Sequence, residues 1–248
     1  MFSTDGSPSL GIIGFGAFGR LMARHLGAHF RLLAFDPALR PGCRMDRVAV
    51  ERLEAVAACP IVVLAVPVSR MAETARAIAP HLTPGALVLD VGSVKVVPAE
   101  IMRRELPEHV GIVATHPLFG PQSARDGIAG LKIAVCPIRG GDDGRVGAFL
   151  RRALGLQVIM TTPEAHDRDA AMVQGLTHLI AKVLVQMEPL PARMTTRSFD
   201  LLMQGVGMVR HDAPEVFQAI ERANPYAREV RRRFFDLAAA LDAGFGEE

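Results

Sequence analysis

The stretch Leu10-Gly11-Ile12-Ile13-Gly14-Phe15-Gly16-Ala17-Phe18-Gly19 runs from an apolar β-type segment through a Gly-x-Gly-x-x-Gly turn into a helical pattern that begins near Phe18. Each glycine of such a turn has its own physical role. Gly14 permits the tight reversal, Gly16 lets the backbone approach a pyrophosphate, and Gly19 lets the helix lie close against the sheet. The helix N-terminus then offers free amides and a partial positive charge to an anion. Alone, the three glycines are weak evidence, but the next β-type segment ends in Phe35-Asp36, about where an acidic side chain meets the adenosine ribose of a dinucleotide. Asp36 can accept from both ribose hydroxyls and would repel a 2′-phosphate, which favours NAD. Arg40 leaves NADP open, and a plain cap of the Pro37 turn is the structural alternative for Asp36.

Outward from this turn, short apolar segments recur at 10–14, 31–35, 61–66, 86–91, 111–115 and 132–136, separated by helical patterns. A seventh, 156–160, follows an amphipathic helix at 143–153. Such alternation predicts an α/β fold with a doubly wound, mainly parallel Rossmann-type sheet. Segments apolar at nearly every position, such as Ile61-Val62-Val63-Leu64, suit strands covered on both faces. Beyond Pro163 the pattern is helical, at 164–188, 197–209, 213–223 and 225–243, with Pro189-Leu190-Pro191 ending the first of these helices. The expected division is a dinucleotide-binding domain over 1–162 and a second, all-helical domain over 163–248, with residues 244–248 fraying.

Composition narrows the partners. Half of the 248 residues are hydrophobic, and 28 basic against 26 acidic side chains leave a formal charge of +2. That balance gives no electrostatic reason for a nucleic-acid or membrane partner, so a small-molecule substrate is expected. Cys43, Cys59 and Cys136 lie far apart and read as reduced thiols. The N-terminal residues do not read as a leader and no apolar run reaches a membrane-spanning length, so a cytoplasmic protein is expected. The histidines show no metal-ligand spacing, and no metal is expected.

Three further segments should meet at the carboxyl edge of the sheet, where open α/β sheets bind their ligands. Ala65-Val66-Pro67 offers an apolar wall and a turn. Asp90-Val91-Gly92-Ser93-Val94-Lys95 and Thr115-His116-Pro117-Leu118-Phe119-Gly120-Pro121-Gln122-Ser123 are polar clusters at the ends of two predicted strands. The order of the glycine turn, Asp-x-Gly-Ser-x-Lys, His-Pro-x-x-Gly and then a helix spanning His166-Asp167 to His178 resembles the prephenate/arogenate dehydrogenases over most of the chain.

The resemblance implies an NAD-dependent oxidoreductase that oxidatively decarboxylates prephenate to 4-hydroxyphenylpyruvate, the tyrosine precursor. Arogenate, or an amino-substituted prephenate, is the alternative substrate. By position, His116 would be the catalytic base toward the ring hydroxyl, an imidazole being able to take a proton at neutral pH. Ser93 would orient His116 or the hydroxyl and lie against the cofactor. Lys95 would support the turn or the phosphate region, and His178 would face the cleft and contact substrate. His166 and Asp167 read as structural residues at a helix start.

Matching Ser198-Phe199 to the family's Gly-Phe puts Gln204 where many relatives carry a substrate-gripping arginine; Arg197 or Arg210 could supply that charge instead. Gln122 stands where many bacterial members have an acidic residue. Gln122 cannot charge-pair with an ammonium, which leans the expectation toward prephenate. The resemblance also implies a homodimer formed through the helical domain, with the apolar stripes of residues 199–203 and 234–239 as candidates for its surface, though both could equally be core. Competing readings are a β-hydroxyacid dehydrogenase, for which Lys182 would be the helical-domain lysine, and a catalytically silent NAD sensor.

Overall fold

A computed structural model describes residues 8–45 and 47–246. Residues 1–7, part of the stretch where no leader is read, and 247–248, the end of the expected frayed tail, lie outside the described residues. The strands are β1 (Ser9–Ile13), β2 (Arg31–Phe35), β3 (Arg44–Met45), β4 (Val48–Val50), β5 (Ile61–Leu64), β6 (Leu87–Asp90), β7 (Gly111–Pro117), β8 (Lys132–Arg139) and β9 (Gln157–Met160). They form one sheet in the order β3-β4-β2-β1-β5-β6-β7-β8-β9. Because β1 pairs in parallel with both β2 and β5, the chain's direction of winding reverses beside β1, which places the glycine turn at the sheet's switch point. The fold is that of an α/β Rossmann-type sheet followed by helices.

The helices that cover the sheet are α1 (Ala17–Leu26), α2 (Leu53–Ala57), α3 (Val68–Ile78), α4 (Val96–Glu105) and α5 (Asp143–Arg152). Strand periodicity divides the core between two faces. Ile13, Val62, Leu64, Val88, Ile112 and Ala114 pack with Met71, Ile78 and Met102 of α3 and α4, whereas Leu10, Ile12, Val63 and Leu32 pack on the opposite side with Leu26 and Phe149. That second face also borders a cavity of about 530 Å³ lined by Ile61, Leu87, Leu89, Thr115 and Pro117. By the same alternation His116, between Thr115 and Pro117, projects to the α4 face, away from this apolar space.

Three features differ from expectation. Strands β3 and β4, two and three residues long, are too short to carry an alternation signal; Gly42, at φ +88°, turns the chain between them and β2. The connection from β7 to β8 holds only turns, so β8 returns antiparallel to β7, since a parallel return needs a longer crossover. The last helix also continues through Gly244 to Phe245 instead of fraying from Gly244.

After β9 the described chain is helical: α6 (Pro163–Ala170), a π-helical turn (Ala171–Gly175), α7 (Leu176–Gln186), α8 (Arg197–Val209), α9 (Pro214–Gln218), a second π-helical turn (Ala219–Ala223) and α10 (Ala227–Phe245). The Thr162 and Thr196 hydroxyls accept the amides of Ala165 and Phe199 at 3.2 Å and so fix where α6 and α8 begin. Helix α6 packs on α4, and the turn at 219–223 packs on α3, which brings the helical part against the carboxyl edge of the sheet. Leu201, Leu202, Met208, Phe235, Leu237 and Leu241 stand exposed on α8 and α10, so these stripes are not interior core of the single chain.

Candidate active site

The glycine turn has the sterics its sequence implies. Gly14 sits at φ +95°, and a Cβ there would lie 2.4 Å from the Ala65 carbonyl oxygen, while one on Gly19 would lie 2.3 Å from the Gly14 oxygen. A Cβ on Gly16 would meet no heavy atom within 4 Å. The turn is pinned by the Gly14 amide on the Phe35 carbonyl (2.9 Å) and by the Ala65 amide on the Ile13 carbonyl (2.7 Å). Helix α1 starts at Gly16 with no side-chain cap, so its first amides are free for an anion. Pro67 precedes α3, and Val66 lies against Gly14, its Cγ1 3.2 Å from a Gly14 Cβ. The Phe18 ring is paired with that of Phe119, 6.4 Å between centroids.

Asp36 accepts the amides of Phe15 (2.8 Å) and Ala38 (2.9 Å) on its two oxygens, so it braces the glycine turn and caps the Pro37 turn at once. Each oxygen keeps a second lone pair for a ribose hydroxyl. An uncapped helix start, an open space at Gly16 and an acidic strand end therefore fit a dinucleotide. Gly14→Ala is expected to lose at least ~3 °C of melting temperature from the left-handed backbone and the clash. Gly16→Val should keep the wild-type melting temperature and lose NAD affinity at least ~10-fold by filling the approach to the pyrophosphate. Thermal denaturation with and without NAD separates the two; equal damage to stability would refute the distinct roles.

His116 is buried at the end of β7, and its partners come from the helical part. Its Nδ1 lies 2.8 Å from His166 Nε2, the rings nearly edge to face. His166 Nδ1 lies 2.8 Å from Asp167 Oδ1, and Asp167 also accepts the amides of Lys95 (2.7 Å) and Val96 (2.9 Å). A carboxylate so engaged can only accept, so His166 donates through Nδ1, and its Nε2 then accepts the Nδ1 proton of His116. The tautomer is fixed by this chain: His116 Nε2 carries the lone pair. Among the described residues that nitrogen has no partner, and it is not sealed from solvent. Burial first, and then the neighbouring His166, Lys95 and His178 side chains, hold the His116 imidazole well below its usual range, so the ring is neutral near pH 7.

His166 and Asp167, read from sequence as structural, are thus the residues that set the protonation of His116. Ser93 is partly exposed on the same edge and makes no hydrogen bond to His116. Of the two roles expected of Lys95, its contacts are those of a support for the turn. Its ammonium is fully buried, paired with Asp90 and donating to the Thr115 carbonyl at 2.6 Å, where it ties the β6 and β7 ends together behind His116.

His178 is buried on α7 and bonded to the Gln174 carbonyl and to Asp212. Gln122 is exposed on the turn after β7, and Arg197 and Gln204 are exposed on α8, none of them joined to the His116 chain. Arg210 is engaged in a two-pronged pair with Glu188 at 2.6 Å, which removes it as a free cation. Asp212 and Gln174 were not singled out from sequence. A polar pair at helical spacing before His178, and an acid just ahead of Pro214, were the available signals.

Residues 38–135 match the family model described as prephenate dehydrogenase, nucleotide-binding domain. The chain is 25% identical to the probable arogenate/prephenate dehydrogenase of Methanocaldococcus jannaschii over 88% of its own length, and spans about half (52%) of that relative. It is 28% identical to the chloroplastic arogenate dehydrogenase 2 of Arabidopsis thaliana, over 92% of this chain and 67% of the relative. The fold matches that of prephenate dehydrogenase from A. aeolicus, solved in complex with hydroxyphenyl propionate and NAD+, with a TM-score of 0.75 at 20% identity over 97% and 91% of the two chains. The family model reaches the His116 strand, and relatives 25% and 28% identical cover 88% and 92% of the chain, so what this protein is similar to is the prephenate/arogenate dehydrogenases.

Proposed function

We propose that the chain is an NAD-dependent dehydrogenase that oxidatively decarboxylates a cyclohexadienyl acid of the prephenate/arogenate type. The observation that carries this is the tautomer chain Asp167–His166–His116, which leaves a neutral Nε2 free at the sheet edge that holds the glycine turn. In the proposed reaction His116 Nε2 accepts the ring hydroxyl proton as the hydrogen on the same carbon leaves with its electron pair. Bound NAD supplies the acceptor for that hydride. The bond to the ring carboxylate breaks, carbon dioxide departs, and the released pair completes the aromatic ring. Prephenate would give 4-hydroxyphenylpyruvate, and arogenate would give tyrosine.

Gly14, Gly16, Gly19, Phe18, Asp36 and the Ala65-Val66-Pro67 turn would hold the cofactor, with Ser93 beside the reacting centre. The test is the appearance of reduced nicotinamide with purified protein, NAD and each acid in turn. Silence with both, together with a NAD-induced rise in melting temperature, would sink the proposal in favour of a nucleotide sensor. Lys182, the lysine on which the β-hydroxyacid reading relies, lies over the Phe217 ring at 5.7 Å.

No helix of the described residues is long and apolar enough to cross a membrane, and the three cysteines are free thiols. Both suit the cytoplasmic site we propose. The exposed apolar stripes of α8 and α10 support a homodimer through the helical part. Sedimentation should give twice the 26.7 kDa chain mass, and Leu237→Glu should shift it to the monomer; a wild-type monomer at all concentrations would refute the dimer.

A further inference from the structure

The helical side of the site holds a second polar arrangement that the tautomer chain does not use. His178 Nδ1 lies 3.0 Å from the Gln174 carbonyl oxygen and its Nε2 lies 3.1 Å from Asp212 Oδ2. A carboxylate can only accept, so His178 donates to Asp212 through Nε2. His178 is among the side chains near enough to influence His116, so the pair belongs to the same site.

Asp212 is the more open member, its side chain 27% exposed against 4% for His178. Its other oxygen faces the loop that follows His116: a Cβ on Gly120 would lie 3.9 Å from Asp212 Oδ1. One helical turn before His178, Gln174 Oε1 is buried without any donor among the described residues. A partly open carboxylate beside the loop after the catalytic strand, its histidine partner and, one helical turn back, an unpartnered amide oxygen therefore lie on the helical side of the site.

We propose that Asp212, held by His178, together with Gln174 recognises an α-amino-acid group, so that this chain selects the ammonium-bearing cyclohexadienyl acid, arogenate, over the keto acid prephenate. The inference rests on the function proposed above. An ammonium brings three donors to Asp212 and Gln174. A keto acid brings the same carboxylate and no donor; it would leave Asp212 and Gln174 without their partner, the kind of loss that separates analogues most strongly. The lean to prephenate drawn from Gln122 concerned a missing negative charge. Asp212 supplies that charge from the connection between α8 and α9, which no comparison of the Gln122 loop could show.

The experiment compares kcat/KM for arogenate and prephenate in the wild type, in Asp212→Asn and in Asp212→Glu, alongside calorimetric binding of the two aromatic products, L-tyrosine and 4-hydroxyphenylpyruvate. Wild-type protein should favour arogenate at least ~30-fold, and Asp212→Asn should reduce that ratio at least ~10-fold, chiefly through KM, as loss of one desolvated charge partner does. Asp212→Glu should recover part of it. Prephenate preference in the wild type, or an unchanged ratio in a folded Asp212→Asn, would overturn the proposal. If neither acid is oxidised, the proposed function fails, while tighter binding of L-tyrosine than of the keto acid would still uphold the recognition and equal binding would end it. Should the Asn variant not fold, Gln174→Leu must weaken L-tyrosine binding for the proposal to stand.

Discussion

Replacing His116 by Asn is expected to lower turnover of the cyclohexadienyl acid by about 10³-fold, with the NAD-induced rise in melting temperature intact. Asn can still hydrogen-bond, but it has no lone pair basic enough to take the hydroxyl proton as the hydride leaves. The nucleotide cradle lies on other strand ends, at Gly14, Asp36 and Ala65, so the variant should bind NAD as the wild type does. Steady-state kinetics and thermal shift together make the check. Retained turnover would mean that the proton has another acceptor.

The same ring sets the pH response. Since burial and neighbouring basic side chains lower the His116 pKa, the base form persists on the acid side of the usual imidazole value of about 6.5. Activity should fall only as pH drops through the lowered value, and this limb should vanish from the residual rate of the Asn variant. Stability follows the same sign. Below about pH 6.5 the unfolded chain takes up this proton before the folded one does, so folding is weakened as pH falls, and above that range the group contributes nothing to the pH dependence.

The glycine turn was legible because each glycine answers to a local steric demand, and the clash distances at Gly14 and Gly19 arise within one loop and its neighbouring strand end. Buried strands such as β5 were legible because a sheet covered on both faces requires apolar residues at successive positions. The partners of His116 were not. His166 lies 50 residues away and the Asp167 bond to the Lys95 amide spans 72, so their meeting depends on how α6 docks on α4, and a His-Asp pair at a helix start has an adequate local explanation that hides it. The carboxylate-binding candidates stand apart from the His116 chain for a different reason. Alignment of Ser198-Phe199 fixed a helical phase for Gln204 and Arg197 but not the surface that α8 turns outward, and both side chains emerge exposed. Arg210 was not free for that role because Glu188, beyond the end of α7, already holds it.

Asp167→Asn is expected to cost about 10³- to 10⁴-fold in kcat, although Asp167 touches neither substrate nor cofactor in the proposed reaction. The substitution keeps the shape of the side chain, and its carbonyl can still accept the Lys95 or Val96 amide. Its NH2 group must then donate where the carboxylate accepted. Directed at His166 Nδ1, it forces the proton of that ring onto Nε2, which in turn makes His116 Nδ1 an acceptor and places the remaining His116 proton on Nε2. The nitrogen that should receive the hydroxyl proton is then already occupied in the neutral ring. This is tautomer control of a base by a distant carboxylate, and the equivalent Asp-to-Asn swap behind the histidine of a serine-protease triad costs on the order of 10⁴-fold. The distinguishing signature is a fall in kcat with NAD affinity preserved, and it should be matched by His166→Gln only in part, since Gln can still offer an oxygen to His116 Nδ1. Nuclear magnetic resonance of the imidazole nitrogens in the variant should report the proton of His116 on Nε2; finding it on Nδ1, with turnover near wild type, would show that the Asp167–His166 chain is structural after all.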